Sequence, residues 1–472
     1  MKNHTPSFGN DRVQVRVADV EQHNTQYAGL PTLLNVWQRL GVSQILDQAD
    51  IHYGCQDDQA EEMSFVLTVE PFVSATSVTK AAQRFGGEPS PHGQEEDLLL
   101  KQMLPHAPSQ RQLSRFTSTA RYDWVCFQEQ RLQQLMQVPA FWPRRKGVLI
   151  LDDYPLAKPY AEHMAYLSPI KDSTLKRTVM GYKIVHLYYD FAGPGGFSLY
   201  VEPWLKTSLD GQTRPKPRGH ARRAQEGEER SKLDIALDAV ERYLPMVQHY
   251  EALLMDSWYT VRWFCAALSE MNVPWVGEVG EDRKFLVAGR ELWVKEIAQL
   301  YRTRKRRIKG LSRRRRVHAV AIPAIWPKDR FTRVDQPVLL VLVTGLSRSR
   351  PDDKGYKLLV CNQVQWTAKH IVRLFSRRPR IEQAHRDGKQ HAGWKDYHSR
   401  SQQALLCHLA LSLLRMDLLR LCRLWYPVTA TYSLAQMIDH LLHYVALLTS
   451  IPISEQVRVQ IPSQHPALSF WT

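Results

Sequence analysis

Two short apolar runs, Val148-Leu-Ile-Leu151 and Ala252-Leu-Leu-Met255, are each followed at once by carboxylates, Asp152-Asp153 after the first and Asp256 after the second. A four-residue apolar run bounded by polar residues is too short for a helix. With no polar alternation, it reads as a strand buried on both faces. Such strands need helices above and below. An amphipathic pattern from Leu233 to Leu244 precedes the second run, another from Val261 to Met271 follows it, and Trp275-Val-Gly-Glu-Val279 gives a further strand. The order predicts an α/β domain whose sheet is at least partly parallel, with the carboxylates delivered at strand ends.

The rest of the chain falls around that core. Arg177 to Phe191 and Phe197 to Leu205 read as strands joined around Gly193-Pro-Gly-Gly196. Val317 to Ile322, Val338 to Thr344 and Lys357 to Cys361 read as three more, a β-rich insertion. From Pro31 to about Val138 the pattern is helical: Leu33, Val36, Trp37 and Leu40 share one face, and Trp124, Phe127, Leu132 and Leu135 another. Ser109 opens a short helix ending near Phe116, and Thr119 caps the next. Residues 1–28 read as a polar arm, 206–230 as a mobile loop, and Ala404 to Leu424 and Leu434 to Leu448 as closing helices. The expected division is a helical segment 1–145, the α/β domain beginning at 146–280, a basic β-rich insertion 281–365, and completion of the domain with the closing helices over 366–472.

Charge narrows the partner. With 63 Lys and Arg against 47 Asp and Glu, the net charge of +16 points to a polyanion, nucleic acid before membrane. The block Arg302 to Arg316 contains no acid, so it needs solvent or a polyanion, and Arg313, Arg314, Arg315 and Arg316 are candidates for contacts to a nucleic-acid backbone. No apolar run is long enough to span a membrane, and Met1-Lys-Asn-His-Thr-Pro6 is no signal segment. The six cysteines form no C-x-x-C pair, so neither a zinc site nor a disulfide framework is suggested, and buried free thiols suit a reducing cytoplasm.

The remaining acid of interest lies in Phe375-Ser-Arg-Arg378-Pro-Arg-Ile-Glu382-Gln-Ala-His385-Arg386-Asp-Gly-Lys389. Pro379 suits the first turn of a helix, on which Glu382, His385 or Arg386, and Lys389 share a face, with Arg378 just before it. Alone, such a stretch is commonly a solvated ion-pair face, and a strand-end Asp is commonly a cap or turn residue. Together the three acids make a different pattern: two on successive strands and one on a later helix.

The spacing Phe-x2-Arg-x3-Glu-x6-Lys resembles the Tyr-Arg-Glu-Lys signature of DDE insertion-sequence transposases, with Phe375 in the tyrosine's place. Asp256-Ser-Trp258-Tyr259 is similar to that family's second-aspartate motif. Asp152-Asp153-Tyr154-x3-Lys158-Pro159 is similar to the first, with Tyr154 where Ser or Thr is usual. The resemblance spans about Val148 to Ser401. It implies a ribonuclease-H-like catalytic domain with a helical, DNA-binding N-terminal domain. Asp152, Asp256 and Glu382 would be the catalytic carboxylates, holding two Mg²⁺ or Mn²⁺ ions through oxygen. By this alignment Asp152 takes the ligand's place and Asp153 the variable one; strand alternation by itself leaves the choice open. Arg378, Arg386 and Lys389 would hold DNA phosphates, and Trp258 could stack on a base. The family's activity implies double-stranded DNA ends and target DNA as substrates, a homodimer in the synaptic complex, and a prokaryotic, nucleoid-associated location. A ribonuclease-H-like nuclease or resolvase without strand transfer, and a non-catalytic domesticated descendant, are the rival readings.

Overall fold

The computed structural model describes residues 30–425 apart from 54–57, 74–76, 87–99, 101–103, 173–176, 192–194, 206–221, 309–316, 346–354, 397–400 and positions 105, 120, 160, 162, 163, 165, 227, 303 and 305; beyond that span it describes short strands within 2–25 and 446–459, and positions 436 and 438. The chain divides into two compact units. One comprises Trp142–Ala161 and Tyr166–His385, the other Met1–Phe141, Glu162–Ala165 and Arg386–Thr472.

The first unit is built on one 12-stranded sheet. Its strands are β1 (Val148–Ala157), β2 (Ser168–Asp172), β3 (Arg177–Asp190), β4 (Gly196–Trp204), β5 (Leu253–Met255), β6 (Trp275–Glu278), β7 (Lys284–Val287), β8 (Arg290–Trp293), β9 (Arg306–Ile308), β10 (Val317–Trp326), β11 (Gln336–Thr344) and β12 (Lys357–Cys361). β1 pairs antiparallel with β3, and β3 with β4; β5 pairs parallel with β1, and β6 with β5. The spatial order β4-β3-β1-β5-β6, with one helix before β5 and one after it, is that of a ribonuclease-H-like core. The strands of the insertion lie in the same sheet. β12 pairs antiparallel with β6, β11 with β12 and β10 with β11, so the ladder continues outward without a break.

Both faces are covered, which is why the central strands are apolar throughout. One side chain set, including Val148, Ile150, Ala252, Leu254, Val276 and Val341, packs against Ile371, Val372, Leu374 and Phe375 of α10 (Ala368–Phe375) and Ile381 and Ala384 at the start of α11 (Arg380–His391). α7 (Lys232–Tyr243) packs on β3 and β4, α8 (Arg262–Glu270) on β6, and α9 (Val294–Tyr301) beside β8. Phe375 is a buried member of this core.

The second unit gathers α1 (Leu30–Leu40), α2 (Val42–Gln48), α3 (Asp58–Val69), α4 (Val78–Phe85), α5 (Gln110–Ser118) and α6 (Trp124–Gln137) with the 24-residue α12 (Gln402–Trp425), which contacts α1, α3, α5 and α6. Two charges inside it are satisfied locally. Arg131 pairs with Asp417, and Arg415 donates to the carbonyl oxygen of Leu67 at 2.8 Å and to those of Thr68 and Ala392, completing the last turn of α3. No helix among the described residues is long and apolar enough to cross a membrane.

Several expectations change. β1 does not end at the aspartates but runs on to Ala157, because Tyr154 and Leu156 are buried and the whole strand pairs with β3. Thr119 closes α5, and Asp123 opens α6, its Oδ1 accepting from the N–H groups of Val125 and Cys126 at 2.9 Å. Of the helix expected over 434–448, positions 436 and 438 are helical, and Ala446–Ser450 forms a strand. Residues 206–221 of the expected loop lie outside the described residues.

Candidate active site

Strand alternation explains how the acids meet. Asp152 falls on the same face of β1 as Val148 and Ile150, the face covered by α10 and α11; Asp153 falls on the opposite face. Parallel pairing of Leu151 with Met255 sets Asp256, the residue just past the end of β5, beside Asp152. In the turn after β5, Asp256 Oδ1 accepts from the backbone N–H groups of Trp258 at 3.0 Å and Tyr259 at 3.2 Å, which leaves Oδ2 for the site. Thr260 closes this turn by donating to the Asp256 carbonyl at 2.7 Å, and it fits because Gly277 on β6 has no side chain. A Cβ there would lie 2.2 Å from Thr260 Oγ1.

Arg378 joins the three carboxylates. Its Nη2 is 2.8 Å from Asp152 Oδ2 and 3.8 Å from Asp256 Oδ2, and its Nη1 is 2.8 Å from Glu382 Oε1, one helical turn on. The neighbouring Arg377 fixes this loop. It donates to Asp190 Oδ2 at 2.7 Å and to the carbonyl oxygens of Asp190 at 2.7 Å and Lys146 at 2.6 Å, tying the α10–α11 junction to the end of β3. Below the site His385, on α11, bonds His186 Nδ1 at 3.0 Å, and His186 bonds Ser198 Oγ at 3.0 Å. His186, on β3, is the register partner of Asp152 on β1, so this buried pair seats the Glu382 helix on the strand next to the one carrying Asp152.

Asp153 belongs to another cluster. On the α7 face it meets Lys232, the first residue of that helix, and Lys183 at 3.7 Å. Lys232 is also 3.4 Å from the ring centroid of Trp258, a cation–π contact. Burial depresses the Lys232 ammonium, and the charge of Asp153 opposes that.

Burial raises the Asp152 carboxyl to about 7 against the pull of Arg378, with the charges of Asp256 and Asp153 adding to the rise. Burial likewise raises Asp256. Burial works against the Arg378 cation, but Asp152, Asp256 and Glu382 outweigh it and hold the guanidinium protonated. With Arg378 between them the acids are spread apart, and among the described residues no three His, Cys, Asp or Glu side chains are gathered for a metal ion. The donor set still fits one. It offers carboxylate oxygens alone, as Mg²⁺ or Mn²⁺ prefer, and three carboxylates against one guanidinium leave a negative cluster. A divalent ion bound here would therefore compete with the guanidinium for the same oxygens. Arg378→Gln is expected to lower stability in EDTA by about 3 kcal/mol, since it leaves buried acids uncompensated. It should also enlarge the rise in melting temperature on adding Mn²⁺. Equal melting of variant and wild type in both conditions would show that Arg378 does not neutralise the acids.

Thus Asp152, Asp256, Glu382 and Arg378 meet at one place. Arg386 and Lys389 follow Glu382 by one and two turns of α11. Trp258 is engaged by Lys232, and Arg313 to Arg316 lie outside the described residues. Sequence reasoning missed Lys232, Lys183, Arg377, Asp190 and the His186–His385 pair. Their signals, a lysine after a capping serine and the first of two adjacent arginines, are ordinary.

The fold and the carboxylates carried on its first and fourth core strands and a later helix define a ribonuclease-H-like nuclease. The chain belongs to the DDE superfamily endonucleases: that family's model matches residues 98–336, half of the chain, ending before Arg378 and Glu382. Members of this superfamily are generally dependent on divalent metal ions. No curated protein matches the chain. Among solved structures it is similar to the piggyBac transposase in the cryo-EM structure of its synaptic complex with hairpin DNA. The two share 13% identity over 89% of this chain and 81% of that one, with a TM-score of 0.42.

Proposed function

We propose that the chain is a DNA transposase of the insertion-sequence type. It would bind the terminal inverted repeats of its own element, cleave there, and join the freed 3′-OH ends to target DNA. The observation that carries this reading is the convergence of Asp152, Asp256 and Glu382, from two adjacent strands and a helix, on a single cation. Those three residues would hold two Mg²⁺ or Mn²⁺ ions, which when bound activate an oxygen nucleophile and stabilise the leaving oxygen. Around them the chain's own groups position the substrate. Arg378 releases a carboxylate to take a phosphate, Arg386, Lys389 and Arg313 to Arg316 add phosphate contacts, and the Trp258 indole stacks on a base where Lys232 leaves it accessible. The N-terminal helices would recognise the ends, a homodimer would pair two of them, and the work would take place at the bacterial nucleoid.

The test is an oligonucleotide assay with labelled element ends, a supercoiled target plasmid and Mg²⁺. Cleavage followed by label joined covalently to the plasmid is the expected result. Cleavage with no joined product would assign the site to a nuclease or resolvase, and neither product in Mg²⁺ or Mn²⁺ would assign it to a non-catalytic DNA-binding descendant.

A further inference from the structure

Along the outer part of the sheet lies an open groove of about 640 Å³, lined by Arg304, Arg306, Arg307 and Lys369 and floored by Ala319 to Ala321 of β10. Arg304, Arg306, Arg307 and Lys369 are exposed, and among the described residues none of them is in an ion pair. Three arginines elsewhere in the same unit do have acidic partners. Arg222 pairs with Glu228 at 2.6 Å, Arg223 with Asp238 at 2.6 Å and Arg377 with Asp190 at 2.6 Å. The backbone at the groove is also open. β9 covers β10 at Val317 to Ala319, and β7 meets it at Ile325. Between those points the edge has no partner strand among the described residues, while β11 occupies the other edge throughout. Ala321, small and exposed within that open stretch, lets a ligand strand approach the edge closely.

We propose that this groove is a second nucleic-acid subsite, holding the sugar-phosphate backbone of duplex DNA that flanks the cleaved bond. The proposal rests on the reading of the chain as a DNA enzyme. Its chemistry is that of a sequence-independent contact: cations in excess over acids, no aromatic side chain lining the groove, and phosphates as the matching ligand. Its place follows from α10. Lys369 stands in the first turn of that helix, and Arg378 lies three residues past its end. Eight residues of helix span about 12 Å, or about four steps of a DNA strand at about 3.4 Å each. The groove therefore grips the flank at least that far from the carboxylates, beyond the bond being cut.

The experiment compares wild type with the triple variant Arg306→Gln/Arg307→Gln/Lys369→Gln. The probe is a fluorescein-labelled duplex of random sequence, several turns long, read by anisotropy in EDTA over a series of salt concentrations. Each lost phosphate contact removes about 0.9 from the slope of log affinity against log salt, so a fall of about 2 to 3 is expected. All sequences should be affected alike, and urea unfolding should be unchanged because the three residues are exposed. On a duplex ending within about four base pairs of the element end, the difference between the proteins should vanish. An unchanged slope for the variant, with wild type binding normally, overturns the groove alone. Failure of wild type to bind any duplex overturns the groove together with the DNA reading. Displacement of the duplex by polyglutamate as effectively as by unlabelled DNA would give the groove to an acidic polypeptide instead.

Discussion

Glu382→Gln is expected to cut cleavage in Mg²⁺ by at least about a thousandfold, about 4 kcal/mol of barrier, while DNA affinity in EDTA stays within a few-fold of wild type. The substitution keeps size and shape and removes one negative charge from a set of three, so the loss falls on the ability to hold a hard cation. The protein should tolerate it well. Glu382 is the most exposed of the three acids, its side chain 55% accessible, and its Arg378 partner retains Asp152. Initial rates on a labelled duplex, with anisotropy measured in parallel, separate the two effects. Ordinary Mg²⁺-dependent cleavage by Glu382→Gln would remove this residue from the site.

The second large effect is a contrast between neighbours. Asp152→Asn should be as inactive as Glu382→Gln, whereas Asp153→Asn should cleave within about tenfold of wild type but unfold more easily, by about 3 kcal/mol. The reason is the pleat. Asp152 points to Arg378 and the Glu382 helix, while Asp153 points through the sheet to the buried ammonium of Lys232, which would lose its counter-charge. Cleavage rates and chemical denaturation of both variants check this. An active Asp152→Asn with an inactive Asp153→Asn would move the first acid of the site by one residue.

The core strands were legible because they obey one rule. Val148 to Leu151 and Ala252 to Met255 are apolar on both faces, as a strand covered above and below needs. The strand continuing through Tyr154-Pro-Leu-Ala157 was not, since Pro155 reads as a turn when its antiparallel partner is 28 residues away. β7, β8 and β9 were missed for a related reason: they are short and half polar, and their order comes from neighbours in the sheet rather than from their own pattern. Within the site, type and spacing could identify Asp152, Asp256 and Glu382 as candidates. They could not distinguish the roles of Arg377 and Arg378, adjacent cations of which one anchors the loop on Asp190 and the other reaches the acids. Nor could they pair Lys232 with Asp153 or His186 with His385, because nothing in the chain marks partners 79 and 199 residues apart.

The unbroken ladder from β1 through β5, β6, β12 and β11 to β10 acts as a ruler graduated in strand residues. A change in the loops joining the insertion strands leaves its graduations alone. A slip of β12 against β6, held by only the three register pairs Val276–Cys361, Gly277–Val360 and Glu278–Leu359, does not. A one-residue slip would turn Leu359 and Cys361 out of the core, so only even steps survive, and each moves everything beyond β6 by about 7 Å, close to two base-pair steps. Any distance that the outer sheet imposes on a bound duplex is thus quantised by the pleat, and three backbone pairings set its zero.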